Sequence, residues 1–178
     1  MIQSIIKNFV NIRPDHIAVK ELDTGKEISY LSLYEVAKRR SKGIDDTPYG
    51  VICLTNGIDC VIEFLAHAFV KKPFLARPIF RSKYAADLQD KFLKENFYPI
   101  TDGYQIRSSS GTTDLAKFYF STQSEIVSKA QIVGKRLRII PSDTVYCVSH
   151  MTNNPRKLFW SLLHGATLYC NNSSSLDI

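Results

Sequence analysis

Residues 104–123 read YQIRSSSGTTDLAKFYFSTQ. An extended run with alternating apolar residues (Tyr104, Ile106) enters a small, hydroxyl-rich loop from Ser108 to Thr113. Lys117 follows, then a short aromatic strand, Phe118 to Phe120. Thr122 reads as a helix N-cap, and Glu125, three positions on, completes a capping box. Side chains this small let backbone N–H groups and hydroxyls converge on an anion, and one lysine supplies the point charge that phosphate oxygens favour. By composition, Ser109, Ser110, Gly111, Thr112, Thr113 and Lys117 form a candidate phosphate cradle; an ordinary Ser/Thr loop is the alternative. A Walker A loop is excluded, because Lys117 is followed by Phe118 and has no glycine before it.

Working outward, strand and helix signals alternate along the chain. Ile2, Ile5, Ile6, Phe9 and Val10 stand at helical spacing before Pro14. His16 to Leu22 alternates as a strand, and Thr24-Gly25 turns it into Glu27 to Tyr30. Ser32 is the expected cap of the next helix, whose apolar face is Leu33, Val36, Ala37 and Ile44. A buried strand over 50–54, a helix over 58–71, a strand over 74–76 and a helix over 82–96 precede the loop. After it come a helix from Thr122 to about Arg138, a strand over 145–148, a helix near 157–163, a strand over 166–170 and a polar tail. This order predicts an α/β fold: three layers, a mostly parallel sheet with helices on both faces, in a single unit over 1–178.

Composition narrows the function classes. The chain has 178 residues, enough for one domain that buries roughly 70% of its unfolded surface. Hydrophobic residues at 44% exclude disorder, and a net charge of +6 suits an anionic ligand or solubility. Cys53, Cys60, Cys147 and Cys170 are too far apart for a zinc site or a disulfide framework, and Cys53 and Cys147 read as small core residues. With no signal block and no membrane-length apolar run, a soluble, cytoplasmic protein is expected.

The loop resembles the phosphate loop of the adenylate-forming (AMP-binding) superfamily, which includes acyl-CoA synthetases, luciferases and peptide-synthetase adenylation domains. That loop runs Thr/Ser-Ser-Gly-Thr-Thr-Gly-x-Pro-Lys-Gly. Ser110, Gly111, Thr112, Thr113 and Lys117 match in place, whereas Asp114, Ala116 and Phe118 stand at its Gly, Pro and Gly. The resemblance is co-linear, if diffuse, along the whole chain: Pro14 to Val19, Ile28 to Leu33, Tyr49-Gly50-Val51 with Asn56-Gly57, Lys72-Pro73-Phe74, Asp143-Thr144-Val145 and Leu162 to Thr167.

It implies the N-terminal portion of a ligase that joins a carboxylic acid to AMP, releases pyrophosphate and passes the acyl group to coenzyme A or a carrier protein. ATP and Mg²⁺ are the implied cofactors, bound weakly or only with a partner, since Asp114 sets an anion beside an anionic ligand. The family's adenine-holding segment, ribose-binding aspartate and catalytic lysine have no counterpart in these 178 residues. No activity is therefore expected from the chain alone. A non-catalytic interaction module acting through self-association or a partner is the alternative, and a homo-oligomer or a complementing subunit is expected.

Other constellations carry less. His150 falls where the family begins its acyl pocket, though a core or loop histidine is the plainer reading. His67 and His164 lack ligand-spaced partners, and no Gly-x-Ser-x-Gly elbow is present. The basic clusters 38–42 and 135–138 read as wet helix faces, so nucleic acid is not expected as a partner, and with no membrane-length apolar run neither is a membrane.

Overall fold

Helical spacing of apolar residues produces α1 (Ile2–Ile12), which buries Ile2 and Ile6. The computed structural model describes residues 1–77, 83–97, 102–108, 118–147, 151 and 156–171. After α1 come β1 (Ile17–Glu21), β2 (Glu27–Ser29), α2 (Tyr30–Ser41), β3 (Gly50–Ile52), α3 (Ile58–Phe69), β4 (Phe74–Ala76) and α4 (Lys83–Asn96). They are followed by β5 (Gly103–Ser108), β6 (Phe118–Thr122), α5 (Gln123–Leu137), β7 (Thr144–Cys147), α6 (Arg156–Leu162) and β8 (Thr167–Cys170).

The α/β class, with parallel pairing dominant and helices on both sides, is as the sequence predicts. Among the described residues, however, the strands divide into two four-stranded sheets, ordered β2-β1-β8-β7 and β3-β4-β5-β6. In the first, β1, β8 and β7 run parallel; in the second, β3, β4 and β5 do, and β2 and β6 join as antiparallel hairpin partners. Helix α3 is the hub of the main core, with eight of its twelve residues buried. Its Phe64 ring stacks on Phe74 of β4 at 5.0 Å. On the opposite face of β4 and β5, Leu93 of α4 meets Leu75 and Ile106.

Tertiary contacts correct two local expectations. The cap of α2 is Ser29, whose Oγ accepts from the Ser32 N–H at 3.2 Å. Burial of Tyr30 starts the helix early: its hydroxyl donates to the Ala166 carbonyl at 2.9 Å, so the residue is pinned inside the core. Burial also pushes the Tyr30 phenol well above its ordinary range. Cys53, expected in the core, is exposed, because β3 ends at Ile52. Cys147 is buried as expected.

Lys72 shows how a buried cation is satisfied. Its Nζ donates to the Asp45 carbonyl at 2.6 Å and to Thr47 Oγ1 at 2.8 Å, and it pairs with the Asp45 carboxylate. The Lys72 and Thr47 hydrogen bonds hold Asp45 down to about 2, from its ordinary 3.8. A depressed acid stabilises the fold above its ordinary pKa, and that contribution disappears as pH falls from 3.8 to about 2. Asp45→Asn should flatten this part of the acid-unfolding curve, measured by circular dichroism; an unchanged curve would disprove the linkage.

Candidate functional site

The carboxyl end of β1 and the chain just beyond β7 meet the N-terminus of α3. Glu21 closes β1, and its buried side chain accepts from the Ile58 N–H at 2.8 Å, the first residue of α3. Thr24 Oγ1 donates to its other oxygen at 2.6 Å. The helix thus takes its cap from residue 21, since Gly57 has no side chain to offer. Met151, just beyond β7, donates its N–H to Asn56 Oδ1 at 2.6 Å. In the other sheet, the Arg77 N–H following β4 donates to the Ile52 carbonyl at 2.8 Å. Open α/β sheets bind ligands outside such carboxyl ends.

The segment 109–117 joins two strands at this edge. β5 and β6 pair antiparallel as far as Ser108 opposite Phe118, so the nine intervening residues connect paired strand ends. Phe118 stacks on Phe92 at 4.6 Å. At the far end of β6, Thr122 and Glu125 form the predicted capping box, with Glu125 N–H to Thr122 Oγ1 at 3.2 Å and Thr122 N–H to Glu125 Oε2 at 3.1 Å. The Asp102 carbonyl, just before β5, accepts from the Gln123 N–H at 3.1 Å.

A β-bulge decides which way β5 presents its side chains. Gly103 pairs with Thr122 and Gln105 with Ser121, so Tyr104 is an extra residue. The alternation of Tyr104 and Ile106 predicts one shared face; the bulge instead sends them apart. Tyr104 turns to the α3 side, 4.8 Å from the Phe74 ring and 5.6 Å from Phe159, and donates to the Phe64 carbonyl at 2.8 Å. Gln105 is buried as well, and its amide has no hydrogen-bond partner. A buried amide in that state costs about 1–3 kcal/mol.

All of the sequence-predicted site residues, Ser109, Ser110, Gly111, Thr112, Thr113, Lys117 and His150, lie outside the described residues. The structure brings two charges to this edge that the sequence reading missed. Arg77 is nearly buried and held by Asp90 at 2.5 Å, with its Nε unpartnered. Glu21 is the other, and its negative charge occupies the positive end of the α3 dipole. Both groups are committed to structural partners. An arginine directly after an apolar strand is a visible signal, but nothing local announces that Asp90 holds it. His67 and His164 serve packing: their Nδ1 atoms bond the Glu63 and Trp160 carbonyls at 2.9 and 2.8 Å. Burial lowers the His67 pKa, and its ring fills the space where a Cβ on Gly50 would stand. Among the described residues no group of His, Cys, Asp and Glu could hold a metal ion.

No protein-family model matches the sequence, and no curated protein sequence matches it either. Solved structures do match. O-succinylbenzoate coenzyme A synthetase (MenE) from Bacillus subtilis, in complex with AMP, is similar with a TM-score of 0.80 at 16% identity, over 96% of this chain and 56% of that one. The inhibitor-bound N-terminal domain of FACL13 from Mycobacterium tuberculosis gives 0.81 at 14% identity, over 98% and 57%. The nonribosomal peptide synthetase FmoA3 gives 0.76 at 15%, over 96% and 22%. The chain has the α/β fold of the N-terminal portion of adenylate-forming enzymes, and it spans a little over half the length of the MenE and FACL13 chains.

Proposed function

We propose that this chain is the phosphate-gripping N-terminal portion of an ATP-dependent ligase that activates a carboxylic acid as its acyl-adenylate. One observation carries the reading. A Ser-Gly-Thr segment ending in lysine joins the carboxyl end of β5 to β6, in a fold that the Bacillus subtilis synthetase presents with AMP. Its hydroxyls, backbone donors and single cation suit a polyphosphate. Ser109, Ser110, Thr112 and Thr113 would supply donors to the β- and γ-phosphates, Gly111 close backbone approach, and Lys117 the charge. Arg77 is already paired with Asp90, and Lys117 would be the loop's own cation for this task. Mg²⁺, when bound, would neutralise phosphate charge. His150 would line the start of the acyl pocket.

Activity is proposed to need the adenine-holding, ribose-binding and catalytic-lysine segments of such ligases, with a homo-oligomer or a complementing subunit as assembly, coenzyme A or a carrier protein as acceptor and the cytoplasm as location. A second reading, a non-catalytic interaction module, draws on Asp114 in the loop and on the exposed aromatics Tyr119 and Phe120 of edge strand β6.

Titration with ATP·Mg decides between them. The ligase reading expects binding that Lys117→Ala weakens about tenfold or more. It also expects carboxylate-dependent pyrophosphate exchange once a polypeptide carrying the adenine, ribose and catalytic-lysine segments of such a ligase is supplied. Undetectable ATP binding with and without that polypeptide would leave the interaction module.

A further inference from the structure

We propose that the C-terminal tip of α5, with the turn to Ile140, is a docking surface for an anionic lipid membrane. Residues 129–140 (KAQIVGKRLRII) contain four cations and no acid, a charge of +4 where the whole chain carries +6. Lys129, Lys135, Arg136 and Arg138 are all exposed, and none forms an ion pair among the described residues. The neighbouring acids are already used. Glu125 closes the capping box, and Asp143 Oδ2 accepts from the Ile140 N–H at 2.9 Å. Among these cations stand three large aliphatic side chains in water: Ile132 at 60% exposure, Leu137 at 63% and Ile140 at 53%.

The helix dipole explains part of this, since cations belong at a helix C-terminus. It does not explain the exposed leucine and isoleucine, nor the backbone of Arg138. That residue caps α5 with φ at 55°, the left-handed conformation that favours glycine. The arginine at this position carries a charge that fold stability does not ask for.

Cations interleaved with aliphatics fit an anionic leaflet: headgroup phosphates take the charges while Leu137 and Ile140 reach the acyl boundary. Nucleic acid would call for aromatic stacking instead. No helix among the described residues is long and apolar enough to cross a membrane, and a surface contact needs none. The sequence, lacking a spanning run, leads to the expectation of no membrane partner, and this proposal departs from it. This surface is independent of the phosphate-loop reading.

The test is flotation with vesicles of phosphatidylcholine and phosphatidylserine, against vesicles of phosphatidylcholine alone. Wild type should partition onto the mixed vesicles only, and less as salt rises. Lys135→Glu with Arg136→Glu, and separately Leu137→Ser with Ile140→Ser, should each lower affinity about tenfold or more. The deciding variant is Arg138→Gly. It should raise Tm by a few degrees while lowering vesicle affinity about fivefold, a pair of effects that misfolding cannot produce. Wild type failing to partition, or Arg138→Gly binding unchanged, overturns the proposal. Retention on poly-glutamate but not on vesicles also overturns it, in favour of an acidic protein partner.

Discussion

Tyr104→Ala should lower the free energy of unfolding by about 4 kcal/mol, measured by urea denaturation. The side chain is fully buried, meets Phe74 and Phe159 edge-on, and gives its hydroxyl to the Phe64 carbonyl. Alanine would remove two aromatic contacts and leave a cavity where β5 crosses α3 and α6. Tyr104→Phe should cost only about 1 kcal/mol, since the ring packing survives and one hydrogen bond is lost. Tyr119, on the neighbouring strand and 54% exposed, provides the contrast: Tyr119→Ala should stay within about 0.5 kcal/mol. Equal losses for Tyr104→Ala and Tyr119→Ala would mean that the bulge does not aim Tyr104 into the core.

Asp114→Gly should tighten ATP·Mg binding by roughly fivefold to several-hundredfold, read by calorimetric titration. The wide range follows from the local dielectric, because a like-charge contact at about 4 Å costs roughly 1–4 kcal/mol between exposed and partly buried settings. Glycine also frees backbone angles that an L-residue restricts. The substitution is expected to leave thermal unfolding nearly unchanged, which separates ligand repulsion from an effect on the fold. Unaltered nucleotide affinity would remove the proposed phosphate contact at this loop. That result would strengthen the reading of the chain as an interaction module.

What the sequence decided alone was what local bonding controls. Helix α1, the Thr122–Glu125 capping box and the strand–helix alternation are all legible because their periodicity or hydrogen bonds span a few residues. Tertiary structure decided the rest, through contacts with no local signal. Val19 pairs with Leu168, and that distant match helps split the strands into two sheets. Glu21 caps a helix that begins thirty-seven residues later. Ser29 displaces Ser32 as a cap because a buried tyrosine, fixed to the Ala166 carbonyl, pulls the helix start forward. Two-residue periodicity assigns Tyr104 and Ile106 to one face, and a single unpaired residue against β6 reverses that. In each case burial and pairing energy from residues far along the chain outweighed the preference of the neighbours.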